Sequence, residues 1–189
     1  MVPQTEGVVV DDLQALVARA QQNDVDAWEA LYRRAYPGLL GYARRRLASR
    51  EEADDAVSET FARAYGRIAS FEWAGAGFNA WLFGIIRNVV LEYQRRSRRG
   101  STRVVPEVGV VDGDLLHDLL LDEEAATVRA ALALLSPDDQ EILELRVIGG
   151  LGAEEVGAVV GKKPGAVRMA QSRALNRLRA ALGSAGPDG

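Results

Sequence analysis

The chain has 189 residues, 48% hydrophobic and 26% charged, which suits one medium or two small folded domains. It holds no cysteine and a single histidine, which excludes disulfides, thiolate metal sites and thiol redox chemistry and leaves one candidate for any histidine-based site. The formal net charge of −4 disfavours a polyanionic partner only if charge is spread evenly, and along this chain it is segregated into blocks.

No apolar run approaches the roughly 18 residues needed to span a bilayer. Met1–Val10 lacks the basic flank of a secretory signal, so the protein is expected in the cytoplasm. Residues 1–10 read as a disordered N-terminus. The first helix is expected over Asp11–Gln22, with Leu13, Leu16, Val17 and Ala20 on one face. Asp24 is a good N-cap for a second helix whose apolar face is Trp28, Leu31, Tyr32 and Tyr36. Pro37 should kink or interrupt it before the pattern resumes at Leu39, Leu40, Ala43 and Leu47. Ser49-Arg-Glu-Glu52 has the form of a capping box. Behind it Ala53, Ala56, Val57, Thr60, Phe61, Ala64 and Ile68 keep a 3–4 spacing, with Asp54, Asp55, Ser58 and Glu59 on the other face. The two glycines of 70–77 mark a loop. A fourth helix follows with Phe78, Trp81, Leu82, Ile85, Ile86, Val89 and Tyr93 as its buried stripe. It leads into a basic block: six arginines between Arg87 and Arg103, opposed only by Glu92.

Residues 100–122 show no sustained period and read as a flexible linker with a short helical turn at Leu115–Leu121. From Val104 to Val128 there are seven acids and no Lys or Arg, and the histidine, His117, reads as a solvated linker residue. Helical spacing returns at Glu123 and runs to Leu135. Ser136-Pro-Asp-Asp139 opens another helix with an N-cap, a first-turn proline and acids on the positive dipole end, and Gly149-Gly150 ends it. The most specific pattern is Leu151–Leu182. A short helix, Ala153–Val160, leads through Gly161-Lys162-Lys163 into a longer basic helix starting at Pro164, the layout of a helix-turn-helix. With Val167 inward, Ala170, Ala174, Leu175, Leu178 and Leu182 share its side. Arg168, Met169, Ser172, Arg173 and Asn176 form the opposite wedge, suited to a major groove, and Lys162, Lys163, Arg177 and Arg179 suit phosphates. No acid falls between Gly161 and Leu182, whereas solvated faces usually mix signs. The fold class is therefore all-α. The expected layout is a helical bundle over 11–99, a linker over 100–122, a helix-turn-helix domain over 123–183 and a disordered tail over 184–189.

Three segments beyond the helix-turn-helix resemble the extracytoplasmic-function (group IV) sigma factors of bacterial RNA polymerase. Glu52-Ala-Asp-Asp-Ala-Val-Ser-Glu-Thr-Phe61 is similar to the family's acidic helix, and Ser58 departs from the glutamine usual there. Phe78-Asn-Ala-Trp-Leu-Phe-Gly-Ile-Ile-Arg-Asn-Val-Val, with the arginines after it, looks like the module that binds the promoter −10 element. Leu135-Ser-Pro-Asp-Asp-Gln-Glu-Ile-Leu-Glu-Leu-Arg146 resembles the opening of the −35 reading domain, with Gly152 standing where a serine or threonine commonly caps the helix. The likeness covers about Leu13–Arg99 and Glu123–Leu182, in the family's order.

The resemblance implies sites as well as a fold. Asp54, Asp55, Glu59 and Phe61 would dock on core RNA polymerase. Phe71, Trp73, Arg87, Asn88, Arg95, Arg96 and Arg99 would meet the melted −10 element; for Phe71 and Trp73, stacking on a flipped base and capping the bundle both remain open. Lys162, Lys163, Arg168, Met169, Ser172, Arg173, Asn176 and Arg177 would meet the −35 duplex. An anti-sigma partner is implied too, and the acidic linker would thread polymerase channels that otherwise carry nucleic acid. No catalytic residue, metal ligand or cofactor is expected. Two other readings use the same residues: a conventional helix-turn-helix regulator, which leaves Arg95–Arg99 and Asp54–Phe61 unexplained, and a carboxylate metalloprotein, which would need Glu-x-x-His pairs that one histidine cannot supply.

Overall fold

Capping side chains set three of the helix starts in the computed structural model, which describes residues 6–73, 75–100 and 130–183 and the side chains of 13–73, 75–98 and 130–182. The Asp24 carboxylate accepts from the Ala27 backbone N–H at 3.0 Å and starts α2 (Val25–Arg44). That backbone donor, and then the Arg19 guanidinium, hold the carboxyl below its ordinary value. Ser49 Oγ accepts from the Glu52 N–H at 3.1 Å to start α3 (Arg50–Tyr65), while Glu52 reaches back to the Ala48 N–H at 3.1 Å. Ser136 Oγ accepts from the Asp139 N–H at 3.2 Å to start α5 (Pro137–Val147). The other helices are α1 (Glu6–Ala20), α4 (Gly77–Gly100), α6 (Ala153–Val160) and α7 (Pro164–Gly183), with a single 3₁₀ turn at Ile68–Ser70. No strand occurs among the described residues, so the all-α class stands.

Two expected boundaries need correction. Helix α1 begins at Glu6, inside the stretch read as disordered, and it ends at Ala20 rather than Gln22. Val8-Val-Val10 are weak helix formers outside the counted apolar face, so periodicity starting at Leu13 placed the start too late. Pro37 does not interrupt α2. Leu31 and Leu39, one on each side of it, are both buried, and their packing outweighs the single backbone hydrogen bond that proline removes. Residues 1–5, the linker over 101–122, His117, the stretch 123–129 and the tail 184–189 lie outside the described residues, as does the Arg99 side chain.

Helices α1 to α4 wrap a core of Val17, Leu31, Leu39, Tyr42, Val57 and Ile86, each no more than 2% exposed. On α4 the expected stripe is buried at Phe78, Leu82, Ile85, Ile86 and Val89, while Trp81 and Tyr93 are only partly covered. Phe83 and Val90 are buried as well, although they lie off that stripe. Phe83 meets Tyr42 edge-on, with centroids 6.1 Å apart, and lies close over Gly149 from the other half of the chain. Helix α6 packs on α4, and Ile142, Leu145, Leu151, Val156 and Val167 join the core of the N-terminal bundle. A smaller cluster of Leu135, Leu143 and Ala174 binds α5 to α7. The two helical units therefore share one continuous apolar core.

Two glycines explain how they come so close. Gly38 and Gly41 sit inside α2, where each costs about 0.5–1 kcal/mol relative to alanine. A Cβ at Gly41 would stand 2.7 Å from Ile148 Cγ2, and one at Gly38 would meet the Ile148 carbonyl oxygen and the Phe83 ring at 3.4 Å. A side chain at Gly41 would force Ile148 to shift, so the bare face of α2 eases the seating of Ile148-Gly149.

Pro37 is exposed and its ring contributes nothing to that core. Pro37→Ala is therefore expected to stabilise the protein by about 2 kcal/mol, the helix gain less the added freedom of the unfolded chain. Urea denaturation followed by circular dichroism checks it, and a lower midpoint would show that the proline's bend is needed for packing.

Candidate nucleic-acid interface

The helix-turn-helix forms as its local chemistry dictates. Gly161 closes α6 at φ 71°, a left-handed position that suits glycine, and the Lys162 N–H bonds back to the Gly157 carbonyl at 2.9 Å. Gly152 offers no side-chain acceptor at the start of α6, so Glu155 supplies the one bond left, accepting from the Gly152 N–H at 2.6 Å. On α7, Val167, Ala170 and Ala174 are buried, Leu175 and Leu178 are half-buried, and Leu182 at the end is exposed. The opposite face presents Arg168, Met169, Ser172, Arg173 and Asn176 to solvent, with Lys162, Lys163, Arg177 and Arg179 also exposed. These nine residues lie where the sequence pattern put them.

Three residues to which the sequence pattern gave no site role hold this face in place. Arg146 donates to the Leu151 carbonyl at 2.6 Å and to Gln171 Oε1 at 3.0 Å, bolting α5 to the turn and to α7. Asp139 is buried, with its carboxylate 3.8 Å from Arg173 and 3.4 Å from Arg177. Asp138 pairs with Lys162 at 2.8 Å, a hydrogen bond that holds its carboxyl below its ordinary value. The acids read as dipole partners of α5 thus also orient cations of the basic face. Their signal was present in the sequence as Asp138-Asp139, but no spacing rule says which arginine an acid 34 residues upstream will meet.

The loop before α4 divides its aromatics. Phe71 is buried, with ring centroids 5.1 Å from Trp81, 5.6 Å from Phe78 and 5.4 Å from Trp73. Of the two alternatives open for Phe71, burial among these rings favours capping the bundle over stacking on a base. Trp73 is 41% exposed and carries the open aromatic surface of the loop. Gln21 at the end of α1 braces this loop, donating to the Ile68 carbonyl at 3.1 Å and the Phe71 carbonyl at 2.7 Å. Along α4, Asn88, Arg95 and Arg96 are exposed, and Arg96 lies 3.9 Å from Glu92. Arg87 is half-buried instead, with its guanidinium 2.9 Å from Glu141 of α5.

On α3, Asp55 is exposed, Asp54 is half-buried, and Glu59 pairs with Arg63. Arg63 also clamps Glu92 of α4 at 2.6 Å, which lowers the Glu92 carboxyl below its usual range. Phe61 is buried beneath Tyr32 and Trp28, with centroids 4.3 and 6.4 Å away, so in the chain alone it backs the acidic face from inside. The exposed aromatics beside the acids are Tyr32 at 39% and Tyr65 at 55%. Tyr32 was expected inward, but it lies at the exposed edge of that face, while Trp28 and Tyr36 stay half-buried against the core.

Residues 31–100 match the sigma-70 region 2 family and residues 131–180 match sigma-70 region 4. The ECF RNA polymerase sigma factor ShbA of Streptomyces griseus is 37% identical over 177 residues, covering 88% of this chain and 93% of ShbA. This chain belongs to the ECF RNA polymerase sigma factors. A second relative, the ECF sigma factor BldN of Streptomyces coelicolor, is 34% identical over 86% of this chain, which spans 63% of BldN. Among solved structures, CnrH in complex with the cytosolic domain of CnrY matches at a TM-score of 0.68 and 26% identity, covering 93% of this chain and 99% of CnrH. The sigma factor RpoE, solved with the anti-sigma factor NepR from Bartonella quintana, matches at 0.61 and 25%, covering 84% and 98%. Sigma factors are DNA-binding regulators of promoter-specific transcription initiation, and the conventional-regulator reading is not favoured.

In this sigma factor the Asp139 carboxylate should matter to DNA reading although it points inward. Asp139→Asn is expected to raise binding to unrelated duplex while lowering discrimination among −35 sequences by about 1 kcal/mol. Competition binding of the reconstituted holoenzyme measures both, and unchanged discrimination would leave Asp139 a purely structural acid.

Proposed function

We propose that this sigma factor reads the −35 element with α7, captures a −10 base with the Trp73 loop and Asn88, and docks on core polymerase through α3. The observation that carries the reading is the exposed face of α7, where groove-reading side chains are backed by small buried ones and the helix itself carries no acid. Arg168 and Arg173 can pair with guanine edges, Ser172 and Asn176 with base edges or phosphates, and Met169 with a thymine methyl. Lys162, Lys163 and Arg177 serve as phosphate contacts. On the other unit, Trp73 offers stacking, Asn88 a donor and an acceptor, and Arg95, Arg96 and Arg99 charge along the strand. Asp54, Asp55 and Glu59, with Tyr32 and Tyr65 beside them, form the acidic and aromatic surface for the polymerase. An anti-sigma partner fits the family and the RpoE–NepR likeness. The working site is the cytoplasm, where polymerase and promoter meet; among the described residues no helix is long and apolar enough to cross a membrane. No catalytic role or cofactor belongs to this reading.

Transcription in vitro with core polymerase and a promoter library tests the whole of it. Within that assay Arg173→Ala should lose preference at one −35 position, by about 1–3 kcal/mol. Lys163→Ala should weaken all sequences alike and make the salt slope shallower by about one. If the two variants behave alike across the library, the division into base and phosphate contacts is wrong.

The −10 assignment has its own check. Replacing Trp73 and Asn88 together by alanine should impair initiation from a closed duplex, and a mismatch bubble over the −10 bases should restore only part of it. Full restoration would mean that the loop opens DNA and reads nothing.

A further inference from the structure

A glycine inside a helix needs a reason, because it loses more backbone freedom on folding than any other residue and adds no side chain to the packing. Among the described residues four glycines lie in helix interiors: Gly38 and Gly41 of α2, Gly84 of α4 and Gly157 of α6. Three of them are covered by the protein itself. A Cβ at Gly157 would stand 2.5 Å from the Lys162 carbonyl oxygen, and Gly38 and Gly41 lie against Ile148. Gly84 has no such neighbour: a Cβ there would meet nothing within 4 Å, and its φ is not positive.

The place of Gly84 on α4 supplies a reason from outside. Gly77, Gly84, Asn88 and Arg95 are seven, four and seven residues apart, so they fall within about 20° of one line along the solvent side of the helix. Trp73 heads that line: a Cβ at Gly77 would touch its ring at 3.4 Å, and the residue is 41% exposed. Asn88, about 6 Å beyond Gly84 along the axis, and Arg95, about 10 Å further, are both exposed. An open aromatic, a bare stretch of backbone, an amide and a cation therefore follow one another in a row. Helix backbone without a side chain lets a ligand come closer than any other residue would allow. We propose that the sugar–phosphate backbone of the unpaired −10 strand lies against α4 at Gly84, which sets how deeply the strand sits between Trp73 and Asn88. The proposal deepens the −10 assignment made above and rests on it. A methyl group at Gly84 lifts the strand away from Asn88 and disturbs nothing within the protein, so stability and DNA binding change in opposite directions.

Holoenzyme is reconstituted with the parent chain, with Gly84→Ala and with Gly84→Gln. The probe is a fluorescent single strand carrying the −10 sequence of a promoter that the parent transcribes, beside a scrambled strand. Alanine and glutamine are better helix formers than glycine, so Gly84→Ala should melt about 2–4 °C above the parent and Gly84→Gln above it by less. Both variants should bind core polymerase with parental affinity. Affinity for the −10 strand should fall about tenfold in Gly84→Ala and further in Gly84→Gln, and Asn88→Ala should add little to the loss in the Gly84→Gln background. Parental affinity for the −10 strand in Gly84→Ala overturns the proposal. So does a lower melting temperature, which would make the glycine a requirement of the fold, or a parallel loss of core binding, which would move the contact to the polymerase. A parent holoenzyme that binds both strands alike overturns the −10 assignment itself, and the proposal with it.

Discussion

Burial of α4 on two sides is the constraint that organises this molecule. One side carries the regular stripe of Phe78, Leu82, Ile86 and Val89 against the N-terminal bundle, while α6 of the helix-turn-helix unit packs on the same helix. A helix covered in this way has only a narrow strip left for solvent. Asn88, Arg95 and Arg96 occupy that strip, so the same packing that hides most of α4 aims its polar groups outward.

Charge follows the same logic at a larger scale. A chain of net charge −4 can hold nucleic acid because its charges are segregated and many of its acids are tied to arginines. Glu92 and Glu59 are tied to Arg63, Asp139 to Arg173 and Arg177, Glu141 and Glu144 to the arginines of the other unit. What stays uncompensated on α7 and on the far end of α4 is positive, and a phosphate backbone senses that local excess rather than the sum.

The readable parts of this protein were those set by neighbours in sequence. Ser49, Ser136, Asp24 and Gly161 each act within four residues of themselves, and all four perform the role their residue type announces. The wedge on α7 was legible for the same reason, since one buried position fixes the facing of a whole helix. The burial of Phe71 and Phe61 was not, because a motif says that an aromatic is present and not whether other rings cover it. Phe83 gave a clue in standing apolar outside the α4 stripe, and Gly38 and Gly41 gave another by sitting inside a helix. Both signs say that something approaches closely; neither names Ile148-Gly149 from the other half of the chain.

The Gln21 side chain has a meaning for where the promoter-reading apparatus starts. Its two hydrogen bonds to the Ile68 and Phe71 carbonyls tie the last turn of α1 to the root of the loop that presents Trp73. The root of the loop is thus braced within the folded protein, and under the proposed function capturing a base would spend less affinity on arranging it. On that reading the module for single-stranded DNA is discontinuous along the chain, and α1 belongs to it as its foundation.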